Sequence, residues 1–174
     1  MIQKYSRYRI LEVFFRTPRH IFHIREICRL VKLSQPTVKV HLNELVSEKL
    51  ILKSTEGLYG GYKANRDNES FKLLKQQNTI FLLNQSGCIN LIHEKIMPQT
   101  IILFGSSTKG EDIEESDIDL FVEGKEEELD LKKFEKLLNR NINILFEDDF
   151  KKLSKELKNN LINGIKLYGF LRAF

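Results

Sequence analysis

Thr100-Ile101-Ile102-Leu103-Phe104-Gly105-Ser106-Ser107-Thr108-Lys109-Gly110, followed after five residues by Ser116-Asp117-Ile118-Asp119-Leu120-Phe121-Val122, is the stretch that decides the fold of the C-terminal half. Thr100–Phe104 is β-branched and apolar without interruption, the composition of a buried strand. Gly105 lets the backbone turn tightly and lets a phosphate approach. A helix starting at Ser106 would aim amide N–H groups and a positive dipole end at that phosphate. In the second run polar and apolar residues alternate, so Asp117 and Asp119 share one strand face and Ile118, Leu120 and Val122 the other. Two like-charged groups so placed are costly unless a cation neutralises them. Magnesium suits the task, since it prefers carboxylate oxygens together with substrate phosphates. A paired-aspartate strand is also compatible with a merely solvated face, but Gly105-Ser106 shortly upstream argues for a phosphate-and-metal site.

Leu103-Phe104-Gly105-Ser106, Lys109-Gly110 and Ser116-Asp117-Ile118-Asp119-Leu120 resemble the signature of the DNA-polymerase-β-type nucleotidyltransferase superfamily, and its minimal members most closely, over roughly residues 97–150. The resemblance implies that Gly105 and Ser106 contact a triphosphate and that Asp117 and Asp119 hold Mg2+ as the catalytic pair. Lys109 stands where many relatives carry arginine, and either cation suits phosphate. The implied substrate is an NTP, ATP first, and the implied reaction is attack of an acceptor hydroxyl on the α-phosphate with pyrophosphate leaving. Active members usually add a third acid on a neighbouring strand. Here the next strand is Asn141–Phe146, and with Ile142, Ile144 and Phe146 inward, Asn143 takes that position. Asparagine is neither a base nor an anionic ligand. This departure bears on turnover and leaves the residues for nucleotide and metal binding in place.

Outward from this core, a helix is expected over Glu127–Asn139 and an amphipathic one over Asp149–Gly164, with Phe150, Leu153, Leu157, Leu161 and Ile165 inward. Lys166-Leu167-Tyr168-Gly169 reads as a closing tail, with Tyr168 a packing residue. Upstream, Glu69–Ile96 is helical in pattern and broken at Ser86-Gly87 into two helices, ended by Pro98. The first of these helices is a candidate dimer contact.

The N-terminal part reads as three helices and a hairpin. Ile10, Leu11, Phe14 and Phe15 make an apolar stripe on Tyr8–Arg16, which Thr17-Pro18 stops. A second helix begins near His23, Lys32-Leu33-Ser34 turns, and Ser34 caps a third helix with Pro36 in its first turn. Ile51–Ser54 and Tyr62–Ala64 are strands around a glycine-rich turn. This order, with Leu33-Ser34-Gln35-Pro36-Thr37-Val38 and Leu50-Ile51, resembles the winged-helix transcriptional regulators over about residues 5–65. The resemblance implies DNA as partner. On the third helix, Gln35 and Asn43 would read base edges, Thr37 would sit at the tip and Lys39 on phosphate. Lys53, Tyr59 and Lys63 would place the wing against the backbone. His41, at the edge of the buried face, and the solitary His93 read as packing residues. A protein-docking role for the same module is the alternative.

Charge follows this division. Residues 1–66 carry 13 Lys and Arg against 5 acids, a net +8, whereas residues 98–150 carry 6 against 15, a net −9. A basic third draws nucleic acid by displacing condensed counterions, and an acidic third needs a divalent metal to accept phosphates. With 41% hydrophobic and 30% charged residues in 174, the chain reads as globular. No run is apolar enough to span a membrane, and Met1-Ile2-Gln3-Lys4-Tyr5 lacks a signal-peptide core. Cys28 and Cys88 read as buried reduced thiols, a structural disulfide being the alternative, and the protein as cytoplasmic.

The expected fold is α+β: a winged helix-turn-helix over residues 1–66, a helical connector over 67–97, and an αβαβα nucleotidyltransferase domain with a small mixed sheet over 98–174. The functional expectation is a DNA-binding nucleotidyltransferase acting on a protein or small acceptor, as an antitoxin or transcription regulator. Family resemblance alone implies a HEPN-type toxin partner, and winged-helix proteins often form homodimers on paired half-sites. The alternatives are a regulator whose transferase-like domain senses nucleotide, and an interaction protein that has lost both activities.

Overall fold

The computed structural model describes residues 5–56 and 60–172. It divides into two compact units, Met1–Lys75 and Gln76–Phe174. The division falls inside the helix Glu69–Gln85, which supplies Phe71 to the core of the first unit and Leu83 to that of the second.

In the first unit, α1 (Ser6–Arg16), α2 (Ile24–Val31) and α3 (Gln35–Ser47) precede an antiparallel pair, β1 (Ile51–Ser54) and β2 (Gly61–Ala64). Ile10, Leu11, Phe14 and Phe15 are buried as the α1 stripe requires, against Ile27, Val31, Val38, Leu42 and Leu45 from α2 and α3. Lys32 ends α2 in the left-handed region, and the Ser34 hydroxyl accepts from the Thr37 N–H to open α3. Phe22 pairs with Tyr62, so a third short segment joins the hairpin. His23 Nδ1 lies 2.6 Å from the Gly60 carbonyl. A carbonyl only accepts, so Nδ1 carries the proton and ties the end of the hairpin loop to the start of α2.

In the second unit, α4 (Glu69–Gln85) ends near Ser86, and α5 (Cys88–Ile96) follows across Gly87, whose φ of 83° is open to glycine. The sheet is built from β3 (Thr100–Phe104), β4 (Ile118–Glu123), β5 (Ile142–Glu147) and β6 (Ile165–Gly169), in the order β5-β4-β3-β6. β3 is antiparallel to both β4 and β6, while β4 and β5 are parallel. The parallel pair needs a crossover, supplied by the segment bearing α6 (Lys132–Leu138). One sheet face carries Ile101, Leu103, Ile118, Leu120, Val122 and Ile142 into a core with Leu83, Cys88, Ile92 and Phe134. The other carries Ile102 and Phe121 against Phe150 and Leu161.

Four expectations are corrected here. The helix expected over Glu127–Asn139 starts only at Lys132, because the Asp130 carboxylate accepts from the Lys132 N–H and serves the first turn from outside it. The helix expected over Asp149–Gly164 is a 3-10 turn, Phe150–Lys152, followed by α7 (Lys155–Ile162). Ser154 accepts from the Leu157 N–H and restarts the chain at that point. Lys166–Gly169 is not a tail but most of β6, and Ile165 packs on the opposite core from the α7 leucines. At Ser106 the chain makes a single 3-10 turn, Ser106–Lys109, rather than a helix, too short for a substantial macrodipole. Cys28 is half-buried and Cys88 buried, and both are free thiols. Burial pushes the Cys88 thiol up to about 11, which leaves it protonated and unreactive at neutral pH. Among the described residues no helix is long and apolar enough to cross a membrane.

Candidate nucleotide site

The register of the sheet places Phe104 opposite Asp119, and Asp119 opposite Asn143. The row therefore runs across β3, β4 and β5 at the end where β3 delivers Gly105. Gly105 has φ 75° and ψ −158°, a conformation open essentially to glycine. A Cβ at this position would lie 2.5 Å from Asp119 Oδ2. The backbone favours glycine, and a side chain here would displace the Asp119 carboxylate, so the turn lies close beside the second aspartate. Thr108 closes the turn, its hydroxyl donating to the Gly105 carbonyl at 2.7 Å and its N–H to the same oxygen at 3.2 Å. Ser106 is half-buried and Lys109 exposed at the end of the turn.

Asp117 precedes β4, and Asp119 is its second residue. Asn141 Nδ2 donates to Asp117 Oδ1 and Asn143 Nδ2 to Asp119 Oδ1, both at 3.2 Å. Because residues 141 and 143 alternate onto one face, these bonds put the two aspartates on that face as well. Asn143, the residue expected in place of a third acid, is thus an amide that donates to the second aspartate. Among the described residues no group of three His, Cys, Asp or Glu is placed to hold a metal. The donor set is two carboxylates beside a glycine turn, and this fits a hard cation that completes its shell with phosphate oxygens and water.

Two residues of this neighbourhood escaped the sequence reading. Asn141 bonds Asp117, and Arg140 donates to the carbonyls of Ser116 and Asp117, to the Ser107 hydroxyl and to the Asp112 carboxylate. The available signal was a lone arginine between the Asn139 helix end and β5, in a segment otherwise rich in acids. A cleft of about 480 Å3 beside Asp117 is lined by Glu115, Lys132, Lys136, Arg140 and Asn141.

The expected DNA-contacting residues lie in the first unit. Gln35, Lys39 and Asn43 are exposed along α3, and Lys53 is exposed on β1. Thr37 is half-buried, and its hydroxyl lies 2.8 Å from that of Ser34. Lys63 is engaged with Glu56 at 3.0 Å. Tyr59 falls outside the described residues. Gln35 and Lys53 line one groove of about 740 Å3 with His23, Arg25 and Tyr62. His41 pairs with Glu44 at 3.0 Å, and the His93 ring packs against Tyr168 with centroids 4.4 Å apart.

The family model described as a nucleotidyltransferase domain matches residues 90–168, from within α5 to the last turn of sheet at β6. The matched span contains the Gly105-Ser106 turn, both aspartates, Arg140 and Asn143. No curated protein and no solved structure matches the chain.

Proposed function

We propose that the second unit binds a magnesium–nucleoside triphosphate complex and transfers its nucleoside monophosphate to an acceptor hydroxyl. The observation that carries this reading is the contact of Gly105 with the Asp119 carboxylate, which sets a phosphate-accepting turn against a metal-binding side chain. Asp117 and Asp119 would hold magnesium, and magnesium bound there would neutralise charge on the phosphates and polarise the α-phosphate. Ser106 and the backbone of the turn would receive the β- and γ-phosphates, with Lys109 as an exposed cation at their edge. ATP is the first nucleotide to test.

The first unit supports a winged helix-turn-helix reading, with α3 as the groove-reading helix and the β1–β2 hairpin as the wing. Its exposed Gln35, Lys39 and Asn43 and its positive charge favour DNA as the partner. A second reading of the whole chain, a DNA-binding regulator that senses nucleotide without transferring it, is favoured by the Asn143–Asp119 hydrogen bond. That bond takes up an oxygen of the metal ligand and offers no base for the acceptor hydroxyl.

The two are separated by incubating the chain with α-labelled ATP, magnesium and candidate protein and hydroxyl acceptors, beside Asp117→Ala/Asp119→Ala. Label transferred by the wild type and lost in the double variant establishes the transferase. Magnesium-dependent ATP binding without transfer, joined by transfer in Asn143→Asp, establishes the sensor. No magnesium-dependent binding of any nucleoside triphosphate overturns both.

A further inference from the structure

β3 and β4 stay in register only as far as the pair Phe104–Asp119. Everything from Gly105 to Asp117 lies outside the sheet, so strand pairing alone does not set the distance between the phosphate turn and the approach to the aspartates. One side chain spans that gap. Arg140 Nε donates to the Ser116 carbonyl at 2.7 Å, and Nη2 donates to the Asp117 carbonyl at 2.7 Å and the Ser107 hydroxyl at 3.1 Å. Nη1 donates to the Asp112 carboxylate on the intervening loop.

The Arg140 side chain is 11% exposed and that of Asp112 3%. Its own position is fixed from both sides. The Arg140 N–H donates to the Glu135 carbonyl at the end of α6, and the Ile118 N–H donates to the Asn141 carbonyl where β4 meets β5. A guanidinium presents five N–H donors in one rigid plane and so serves acceptors on several sides at once. An ammonium concentrates its charge on one atom and has three donors without that fork. Lysine could keep the charge opposite Asp112 but not the whole brace.

We propose that Arg140 is a positioning residue of the nucleotide site, holding the Ser106–Lys109 turn and the backbone of Asp117 at the separation at which one magnesium–nucleotide complex engages both. Arg140 acts through Ser107 and Asp117 and does not itself touch the nucleotide. The inference rests on the nucleotide-binding reading above.

The test uses the full chain as wild type, Arg140→Lys and Arg140→Ala. Thermal melting is recorded without ligand, and magnesium–ATP binding is measured by calorimetry. Arg140→Lys is expected to melt cooperatively yet bind magnesium–ATP at least tenfold more weakly. Millimolar guanidinium is expected to restore affinity to Arg140→Ala by refilling the vacated fork. Affinity of Arg140→Lys within twofold of wild type overturns the proposal. So does weakened binding that merely follows a lowered melting temperature and that guanidinium leaves unchanged. If the folded wild type itself binds no nucleoside triphosphate, the underlying reading falls, and the absence of wild-type binding marks that failure apart from the other two.

Discussion

At the scale of single residues, the site is defined by what stands next to Asp119. Gly105 leaves free the space beside one carboxylate oxygen that a side chain would take, and Asn143 donates to the other, so both neighbours are chemically constrained. Gly105→Ala brings a methyl group to 2.5 Å from Asp119 Oδ2 and forces alanine to φ 75°. Backbone strain of this kind costs about 1–3 kcal/mol. The expected result is a lower melting temperature together with loss of magnesium–ATP binding, read by calorimetry; unchanged binding would show that the turn does not meet phosphate. Asn143→Asp makes the opposite trade. It replaces a donor with a carboxylate directly across from Asp119, and like charges so opposed cost up to about 1 kcal/mol. Without divalent cation the variant should therefore melt below wild type. Millimolar magnesium should close that gap if Asp117 and Asp119 hold the cation, because a third carboxylate would strengthen its binding. A deficit that magnesium leaves unchanged would place Asn143 away from the proposed cation.

At the scale of elements, β4 joins opposite environments. Its first residues carry Asp119 into the candidate site, and its last, Glu123, is 7% exposed at the far end of the sheet. Glu123 Oε1 accepts from the Phe150 N–H, while Oε2 is buried with no hydrogen-bond partner among the described residues. Burial raises the Glu123 pKa above the usual carboxylate range; the Phe150 N–H and Arg172 oppose the shift and Asp149 adds to it. A carboxyl raised in the folded state favours folding while protonated. That contribution is fully present below the unfolded-state pKa of about 4.3 and is lost as pH rises through the folded value. Glu123→Gln stays neutral and keeps an oxygen for Phe150, so its melting temperature should gain on wild type as pH increases from about 4 to 7. Parallel pH curves for the two proteins would refute the assignment.

The same elements show what the sequence made legible. Alternation over Ser116–Leu120 and the uninterrupted Thr100–Phe104 run disclosed β4, β3 and the shared face of the aspartates, since a strand's period is a local property. Asn163-Gly164 marks the end of the last helix, but nothing in the short run Ile165–Gly169 tells a strand from a tail, and its strand state comes from pairing with β3, more than sixty residues earlier. The break in the expected last helix was more accessible, for Ser154 is a good cap inside an otherwise continuous apolar stripe. Arg140 was invisible for a different reason. Three of its four acceptors lie between Asp112 and Asp117, and no local pattern foretells that a loop will fold back onto it.

At the scale of the molecule, the two charge blocks fall in different compact units. The block of residues 1–66 lies within Met1–Lys75, and that of 98–150 within Gln76–Phe174. If the first unit is what meets nucleic acid, affinity for duplex DNA must be governed by counterion release, and each phosphate contact contributes about 0.9 to the slope of log affinity against log salt. Lys39 is exposed on α3, and among the described residues it has no ion pair of the kind that Glu56 forms with Lys63. Lys39→Ala should therefore weaken binding about equally on all duplexes and lower the slope by about 1. Lys63→Ala should change it less, because reaching phosphate requires surrendering an existing ion pair. Asp119→Ala, in the other unit, should leave the slope unchanged. These three variants, titrated beside wild type at several salt concentrations by fluorescence anisotropy, assign the DNA contact to a surface. A slope that falls in Asp119→Ala and not in Lys39→Ala would remove it from α3.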